Sequence, residues 1–523
     1  MAKTLNKLSS ALIATYDRIS APNHDKTISV NPLVAELASW YEKFRTAMDY
    51  REDEVILRSA IERILKRRLT FGGKGQTVAA PLIRELVWAR YFPDSSIPES
   101  LVSKVEEIVD LYLELEMQIN KKHSINKGKV NEWIVHLLSS EIEHTLKPKD
   151  SKDVMCNFIF RIFKDMITIS DDSEETKDVQ TFIAVRRAYA NDDLALLRYH
   201  LFKQYFGTIN EHNLDEIATA FPKVATNIEN QFNYPAKDRI YSYVKNQTIP
   251  FIILDDVLKK HNGKALSLAT DEDLLNSEIF SACNTRYRNI KGKVKRAIVR
   301  SVIFIFFTKA IFALAVEGTF ERFLYGRILW SSIALNTLTP PMLMILVGVL
   351  IKTPGRDNSF RILKKISTIL YDEHPALAPP LVVKKKQNKT DPLLWTIFIL
   401  LWLTTFVLSF GAIVFVLNKL HINPLSQAIF MFFLAIVSFV SFRINRTAHM
   451  YIIKERKENL KSLFADFFFM PFIQVGRRLT LAISQVNIFL FVFDFIIETP
   501  FKGIFAFFEQ WFLFLRSQRE KLD

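Results

Sequence analysis

The chain has 523 residues, of which 49% are hydrophobic and 13% aromatic, and it contains only two cysteines. This composition excludes a collagen-like chain, a low-complexity chain and a disulfide-stabilised secreted domain. Residues 286–523 carry 32 basic and 14 acidic side chains, whereas residues 1–285 carry 37 basic and 41 acidic ones. The excess of basic residues thus lies in the apolar C-terminal part. It indicates the flanks of membrane spans, and we expect no nucleic-acid partner.

Residues 1–285 are predicted to form a soluble cytoplasmic domain of nine to twelve helices. In 101–119, apolar residues recur every three or four positions, which is typical of one face of an amphipathic helix. Segment 51–69 begins with acidic and ends with basic residues, as the helix dipole favours. The first twenty residues contain no apolar targeting core, so we expect this domain to remain in the cytoplasm.

Several short patterns in this domain resemble ligand sites, but their spacing favours structural roles. FGGKGQT (71–77) lacks the spacing of a phosphate-binding loop and predicts a glycine turn that ends a helix. HLLSSEIEH (136–144) is not a metalloprotease motif and predicts a solvated helix face. The adjacent Asp255 and Asp256 predict surface or capping residues, and 170–180 predicts a flexible loop. We therefore expect no catalytic, cofactor-binding or metal-binding residue.

Segment 286–300 contains seven basic residues and no acidic one, and it leads directly into an apolar run. Each lysine or arginine near anionic headgroups contributes about 1 kcal/mol to membrane binding. The segment therefore predicts a juxtamembrane anchor. Together with a later basic cluster, the predicted headgroup contacts are Arg286, Arg288, Lys291, Lys293, Lys295, Arg296, Lys384, Lys385 and Lys386.

Four apolar runs have the length of a membrane-spanning helix, which is about 17–25 residues. They form a predicted four-span region, 297–442, and comprise residues 297–316, 328–351, 393–417 and 425–442. The loop 352–391 between the second and third runs has nine basic and four acidic residues. Because basic loops stay in the cytoplasm, the N-terminal domain is expected on the cytoplasmic side of the membrane. The expected membrane is a bacterial-type inner membrane.

A lysine within the first apolar run raises the question of what its charge contacts. Lys309 lies about 18 Å along the helix from Ala297, so its ammonium could snorkel to the outer headgroups. A structural pair inside the bundle and a functional charge in a permeation or proton path are the alternatives. Its expected partners are Asn336, the helix bend at Pro340 and Pro341, and Asp494 or Glu498. Together with Lys309 they form the predicted polar site.

The C-terminal residues 443–523 are predicted to form aromatic helices in the cytoplasm and at the membrane interface. Fifteen of the 44 phenylalanines fall within 464–515. Segment 463–475 is too short to cross a bilayer, and 487–515 carries a stripe of charged residues. An interfacial amphipathic helix is the favoured interpretation of the second segment, and a fifth, kinked span is the alternative.

The sequence therefore predicts an all-α, multi-pass membrane protein. The large motif-free cytoplasmic domain favours a membrane-anchored scaffold or interaction module, which binds a protein partner or a second copy. An oligomeric channel or transporter that uses the polar site around Lys309 is the alternative hypothesis. A membrane-bound enzyme ranks third, because no catalytic constellation is recognisable.

Overall fold

The computed structural model describes residues 4–18, 35–36, 38–39, 55–70, 72–261, 263–326, 330–385, 392–420, 422–453, 460–484 and isolated positions between 503 and 518. The chain forms two compact units. Unit 1 comprises Met1–Glu272, Ile366–Gln387 and Phe493–Asp523, and unit 2 comprises Asp273–Lys365 and Asn388–Val492. The division falls at 272 and not at the expected boundary of 285, and a later segment returns to unit 1.

Unit 1 is helical, as predicted, with twelve α-helices before residue 271 in the part of the chain that is described. They are α1 (Lys7–Arg18), α2 (Ile56–Thr70), α3 (Gly75–Trp88), α4 (Ser100–Lys122), α5 (Lys127–Leu146), α6 (Asp150–Lys164), α7 (Glu174–Val185), α8 (Leu194–Phe206), α9 (Leu214–Phe232), α10 (Lys237–Lys245), α11 (Ile249–Lys260) and α12 (Ala265–Thr270). A π-helical segment, Arg186–Ala190, follows α7.

The core of unit 1 forms because each helix buries one apolar stripe. In α4 the buried residues are Val105, Val109, Tyr112, Leu115 and Ile119. Full burial of one aliphatic side chain contributes about 1.5–3 kcal/mol, so a stripe of this length fixes the helix in the core. The predicted flexible loop 170–180 is wrong in its second half, because the Ser173 side chain accepts a hydrogen bond from the Thr176 amide and α7 begins at Glu174.

Two short strands in unit 1 were not predicted. Strand β1 (Ile167–Ile169) pairs in parallel with β2 (Leu381–Val383). Beyond β2, the Lys385 ammonium lies 2.8 Å from the Asp172 carboxylate. The basic loop thus contributes a strand and an ion pair to unit 1.

Unit 2 is built from long helices. They are α13 (Glu272–Phe312), a π-helical segment (Ala313–Glu317), α14 (Gly318–Tyr325), α15 (Trp330–Leu350), α16 (Arg356–Tyr371), α17 (Pro392–Lys419), α18 (Pro424–Ala448) and α19 (Leu460–Ser484). The last residues of α16 belong to unit 1.

Three helices are long and apolar enough to cross a membrane: Glu272–Phe323, Pro392–Lys419 and Pro424–Ala448. They contain the first, third and fourth predicted runs. The second run corresponds to the 21-residue helix α15, in which Asn336–Leu350 is an apolar helical stretch. Large apolar side chains on α17 face outward, and Leu401 is 57% exposed. A continuous apolar surface of this kind is typical of contact with lipid.

Helix α19 differs from the prediction for 463–475. The sequence predicted a separate 13-residue segment, but the structure has one 25-residue helix that continues through Arg477 and Arg478. It packs closely on α18, since a Cβ atom at Gly476 would collide with the Ala435 carbonyl oxygen. The Ser409 hydroxyl of α17 donates to the Phe468 carbonyl at 3.0 Å. These contacts with α17 and α18 stabilise α19 as one continuous helix.

Candidate functional site

The most unusual feature of unit 2 is a buried ion pair between Lys309 and Glu317. The Lys309 ammonium donates to Oε1 of Glu317, and both side chains are 0% exposed. The ammonium therefore points into the helix bundle, which favours a paired lysine over one that snorkels. Glu317 was not among the partners expected from the sequence, because it follows the predicted end of the first span.

The π-helical segment explains why these two residues meet. Eight residues of regular α-helix turn about 800°, which would leave the two side chains about 80° apart. The π turn joins residues five apart and so turns less per residue, which brings Glu317 onto the face of Lys309. Segments of this kind occur frequently at functional sites. Spacing rules for an α-helix therefore could not find this pair.

Asn336 of α15 connects the ion pair to α18. Its Nδ2 atom donates to Glu317 Oε2 at 2.7 Å and to the Ser426 carbonyl at 3.3 Å. The expected partnership between Lys309 and Asn336 is thus indirect and passes through the carboxylate. Pro340 and Pro341 lie buried one turn further along α15, and no described hydrogen bond joins them to Lys309.

A second buried carboxylate lies one turn beyond Glu317. The Glu321 side chain is 0% exposed, and its Oε1 accepts from Asn423 Nδ2 at 3.0 Å. Asn423 also caps α18, because its Oδ1 accepts from the Ser426 amide at 2.8 Å. Buried polar groups therefore join the helix after the π segment to the start of α18.

Contacts with Phe433 show that the ion pair lies deep between the apolar helices. The Lys309 ammonium is 5.3 Å from the centre of the Phe433 ring, a cation–π distance. Phe312 packs edge-on against the same ring at 5.8 Å. Phe433 is in the middle of the apolar run 425–442, whereas Ser426, which the pair reaches through Asn336, is at its start. The ion pair therefore lies in the first half of that run.

Some polar atoms beside the pair have no partner among the residues that the structure describes. These buried atoms are Asn336 Oδ1, Thr337 Oγ1 and Ser426 Oγ. An unsatisfied polar group in an apolar interior costs about 1–3 kcal/mol, and an ordered water commonly satisfies it. The cluster of Lys309, Glu317, Asn336 and Ser426, called here the polar cluster, has the chemistry to hold water or to exchange a proton.

Asp494 and Glu498, also expected at this site, lie outside the described residues. Of the predicted headgroup contacts, Arg288, Lys291, Lys293, Lys295, Arg296 and Lys384 are exposed, whereas Lys386 is not described. Lys385 is half exposed and paired with Asp172. Arg286 donates to the Tyr451 hydroxyl, and its guanidinium lies 5.2 Å from that ring centre. Arg286 therefore has a structural contact within unit 2.

Charged clusters in unit 1 join its helices. Arg58 lies 2.7 Å from Glu62 and 2.5 Å from Asp193. Burial alone would raise the pKa of Glu62, but Arg58 and Lys66 outweigh it and lower this pKa to about 2. Glu62 is therefore ionised and links the basic side chains around it.

The local patterns of unit 1 take structural roles. The 71–77 turn has Gly72 at φ +77°, and the Gly75 amide donates to Asp110 at 2.8 Å, so a carboxylate of the chain occupies this helix start. The predicted solvated face at 136–144 is wrong for Glu143, which is buried and lies 2.8 Å from Lys149.

Asp255 is likewise not a surface residue. It is buried and accepts a hydrogen bond from the Tyr16 hydroxyl at 2.6 Å. In the described part of the chain, no group of three histidine, cysteine, aspartate or glutamate side chains could hold a metal ion.

Comparison with protein families, with curated proteins and with solved structures gives no match. The function proposed below therefore depends on the geometry of the site.

Proposed function

We propose that this protein is a multi-pass membrane protein that moves an ion across the bilayer, with the polar cluster as its site. The observation that carries the proposal is the fully buried Lys309–Glu317 pair beside Phe433, within the apolar run of α18. A buried pair is a weak source of stability, since apolar replacements are often neutral or stabilising. Ionisable residues at such depth mark ion and proton pathways.

The topology in this proposal has four spans, with α15 as the second, and an N-terminal domain in the cytoplasm. Support comes from the exposed basic residues of 286–300, which suit anionic headgroups. The proposed location is a bacterial-type inner membrane. Because four spans enclose little space, the conducting form is an oligomer.

The test is ion flux in proteoliposomes that contain the full-length protein. Lys309→Met and Glu317→Gln each remove one charge of the pair and should abolish flux. Lys419→Met is the matched control, because it makes the same change at an exposed lysine at the end of α17. Flux through both cluster variants at the wild-type rate would contradict the proposal.

A second proposed function is that of a membrane-anchored interaction module. The observation that favours it is the pairing of buried charges within unit 1, such as Arg186 with Asp192 at 2.5 Å. Such pairs fix helices in one arrangement and give a rigid surface for a protein partner or a second copy. Crosslinking of the full-length protein in native membranes should then recover a stable partner, and repeated recovery of the uncrosslinked monomer alone would contradict this role.

A further inference from the structure

The second buried carboxylate, Glu321, extends the polar cluster towards one end of the spans. Glu321 is 0% exposed, as are Lys309 and Glu317. The first candidate span ends at Phe323, two residues beyond Glu321, and Asn423, which donates to Glu321, directly precedes α18. In the proposed topology this end of the spans faces the outside. Glu321 is therefore placed at the outer entrance, and Glu317 lies about 6 Å deeper along the helix.

Ser426 lies between the hydrogen bonds of the two carboxylates. Its carbonyl accepts from Asn336, which also donates to Glu317. Its amide donates to Asn423, which also donates to Glu321. Among the residues that the structure describes, the Ser426 hydroxyl and Asn336 Oδ1 are buried without a partner, and both side chains are 1% exposed. An ordered water bonds to about two to four polar groups, so these oxygens and the carboxylates can hold water between Glu321 and Glu317.

The ionisable groups at this site are two carboxylates and one ammonium. Lys309 is the only charged residue of 301–312 in α13. Helix α15 and residues 424–442 of α18, which pack against the site, contain no titratable residue. Arg322, the neighbour of Glu321, is exposed. The charge at the site is therefore set by Lys309, Glu317 and Glu321.

This combination of charges favours a proton over other small ions. A dehydrated metal cation needs several oxygen ligands, and it would be repelled by the Lys309 ammonium. Chloride would be repelled by the two carboxylates. A proton needs only an oxygen that accepts it, and hydroxyl groups and water can both accept and donate one. Rows of buried carboxylates serve as proton relays in pumps and transporters.

We infer that the ion moved by the polar cluster is a proton, and that Glu321 passes it through bound water to Glu317. The O–H bond of a protonated Glu321 carboxyl breaks, an O–H bond forms at the Glu317 carboxylate, and nothing is oxidised or reduced. Glu317 is then neutral, and its proton leaves when the ion pair with Lys309 forms again. This inference rests on the proposed function, since it names the ion that the same site carries.

The test follows proton flux in proteoliposomes with an enclosed pH-sensitive dye, while sodium, potassium and chloride fluxes are recorded in parallel. Glu321→Gln keeps an oxygen that can accept from Asn423 but cannot release a proton. It should lower proton flux about 100-fold, the lower end of what a positioned proton-transfer group contributes. Glu321→Asp keeps a carboxyl and should retain part of the flux. Glu211→Gln is the matched control, because it makes the same change at an exposed glutamate of unit 1.

Ser426→Ala is the second variant, in case Glu321→Gln fails to fold. It removes a hydroxyl that has no partner among the described residues, so the folded protein should be retained. Its proton flux should fall, because the water between the carboxylates loses one of its partners. Wild-type proton flux through folded Glu321→Gln would overturn the inference. If that variant does not fold, wild-type proton flux through Ser426→Ala overturns it instead.

The parallel records separate this inference from the proposed function. Flux of sodium, potassium or chloride that requires Lys309 and Glu317, without proton flux, would overturn the inference and leave the proposed function intact. If no ion moves, the proposed function fails, and infrared difference spectra across a pH titration then test the carboxyls directly. A protonated-carboxyl band that disappears in Glu321→Gln would show proton exchange at Glu321, and the lack of such a band would overturn the relay as well.

Discussion

At the scale of single residues, Lys309 and Glu317 determine the chemistry of unit 2. The sequence drew attention to Lys309, because a charge inside an apolar run is conspicuous. It could not identify Glu317, since the side chains meet only through a π turn. Asn336 was predicted as part of the site, but its role as the link between Glu317 and Ser426 depends on how three helices pack.

Removal of one charge from the pair should destabilise the protein strongly. Lys309→Met leaves the Glu317 carboxylate buried without its counter-charge, which costs about 3–5 kcal/mol. The double variant Lys309→Met, Glu317→Gln should recover most of that loss, because both charges are gone. Melting in detergent measures both effects. An unchanged melting temperature for the single variant would show that the pair does not form.

The pH dependence of unit 1 should reflect Glu62. Its pKa is lowered from about 4.5 to about 2 in the folded protein, mainly by Arg58 and Lys66 against the opposing effect of burial. Its stabilising contribution is therefore present above pH 4.5 and is lost as the pH falls from about 4.5 towards about 2. Glu62→Gln should flatten the acid limb of a melting-temperature profile between those values.

The solvent-exposed Glu211→Gln is the control for this profile, since it removes a carboxylate outside the cluster. An acid limb equally steep in Glu62→Gln and in wild type would contradict the assignment of this stability to the Glu62 ion pairs.

At the scale of elements, periodicity predicted helices well where one face is buried. The stripe expected in 101–119 matches α4, in which Val105, Tyr112, Leu115 and Ile119 are buried. Elements that depend on distant partners were missed. Strand β1 pairs with residues more than 200 positions away, and α19 continues past Arg477 because it packs on α17 and α18.

The packing of α19 on α18 should fail when Gly476 gains a side chain. Gly476→Ala places a methyl group against the Ala435 carbonyl, and overpacking of this kind costs about 1–3 kcal/mol. Gly411→Ala is the matched control in α17, because nothing lies within 4 Å of an added Cβ atom there. The control should be neutral or up to about 1 kcal/mol more stable, since alanine favours helix over glycine.

Thermal melting of both glycine variants in the same detergent measures whether α19 packs as closely on α18 as the structure shows. Equal melting temperatures for Gly476→Ala and Gly411→Ala would contradict the close approach of the two helices.

At the scale of the whole molecule, helical periodicity and the long apolar runs predicted an all-α protein with membrane-spanning helices. The all-α prediction is confirmed, and three helices have the length and apolarity of spans. The sidedness of the chain stays a prediction, because it depends on the insertion machinery and on lipid charge as well as on the fold.

Sidedness should follow the basic flanks. Met117→Cys should react with an impermeant maleimide in inside-out vesicles and be protected in intact cells. Lys419→Cys, at the end of α17 in a short loop, should show the opposite pattern. Protection of Met117→Cys in inside-out vesicles, with labelling in intact cells, would reverse the proposed orientation.

Ion flux through the double variant Lys309→Met, Glu317→Gln in proteoliposomes is the decisive test of the polar cluster as an ion site. This variant keeps the polar cluster electrically neutral and should fold, but the side chains at 309 and 317 can then neither carry a charge nor exchange a proton. We expect its flux to fall to that of empty liposomes, while Lys419→Met retains the wild-type rate. A double variant that folds and conducts like wild type would contradict the claim, and the pair would then serve the structure alone.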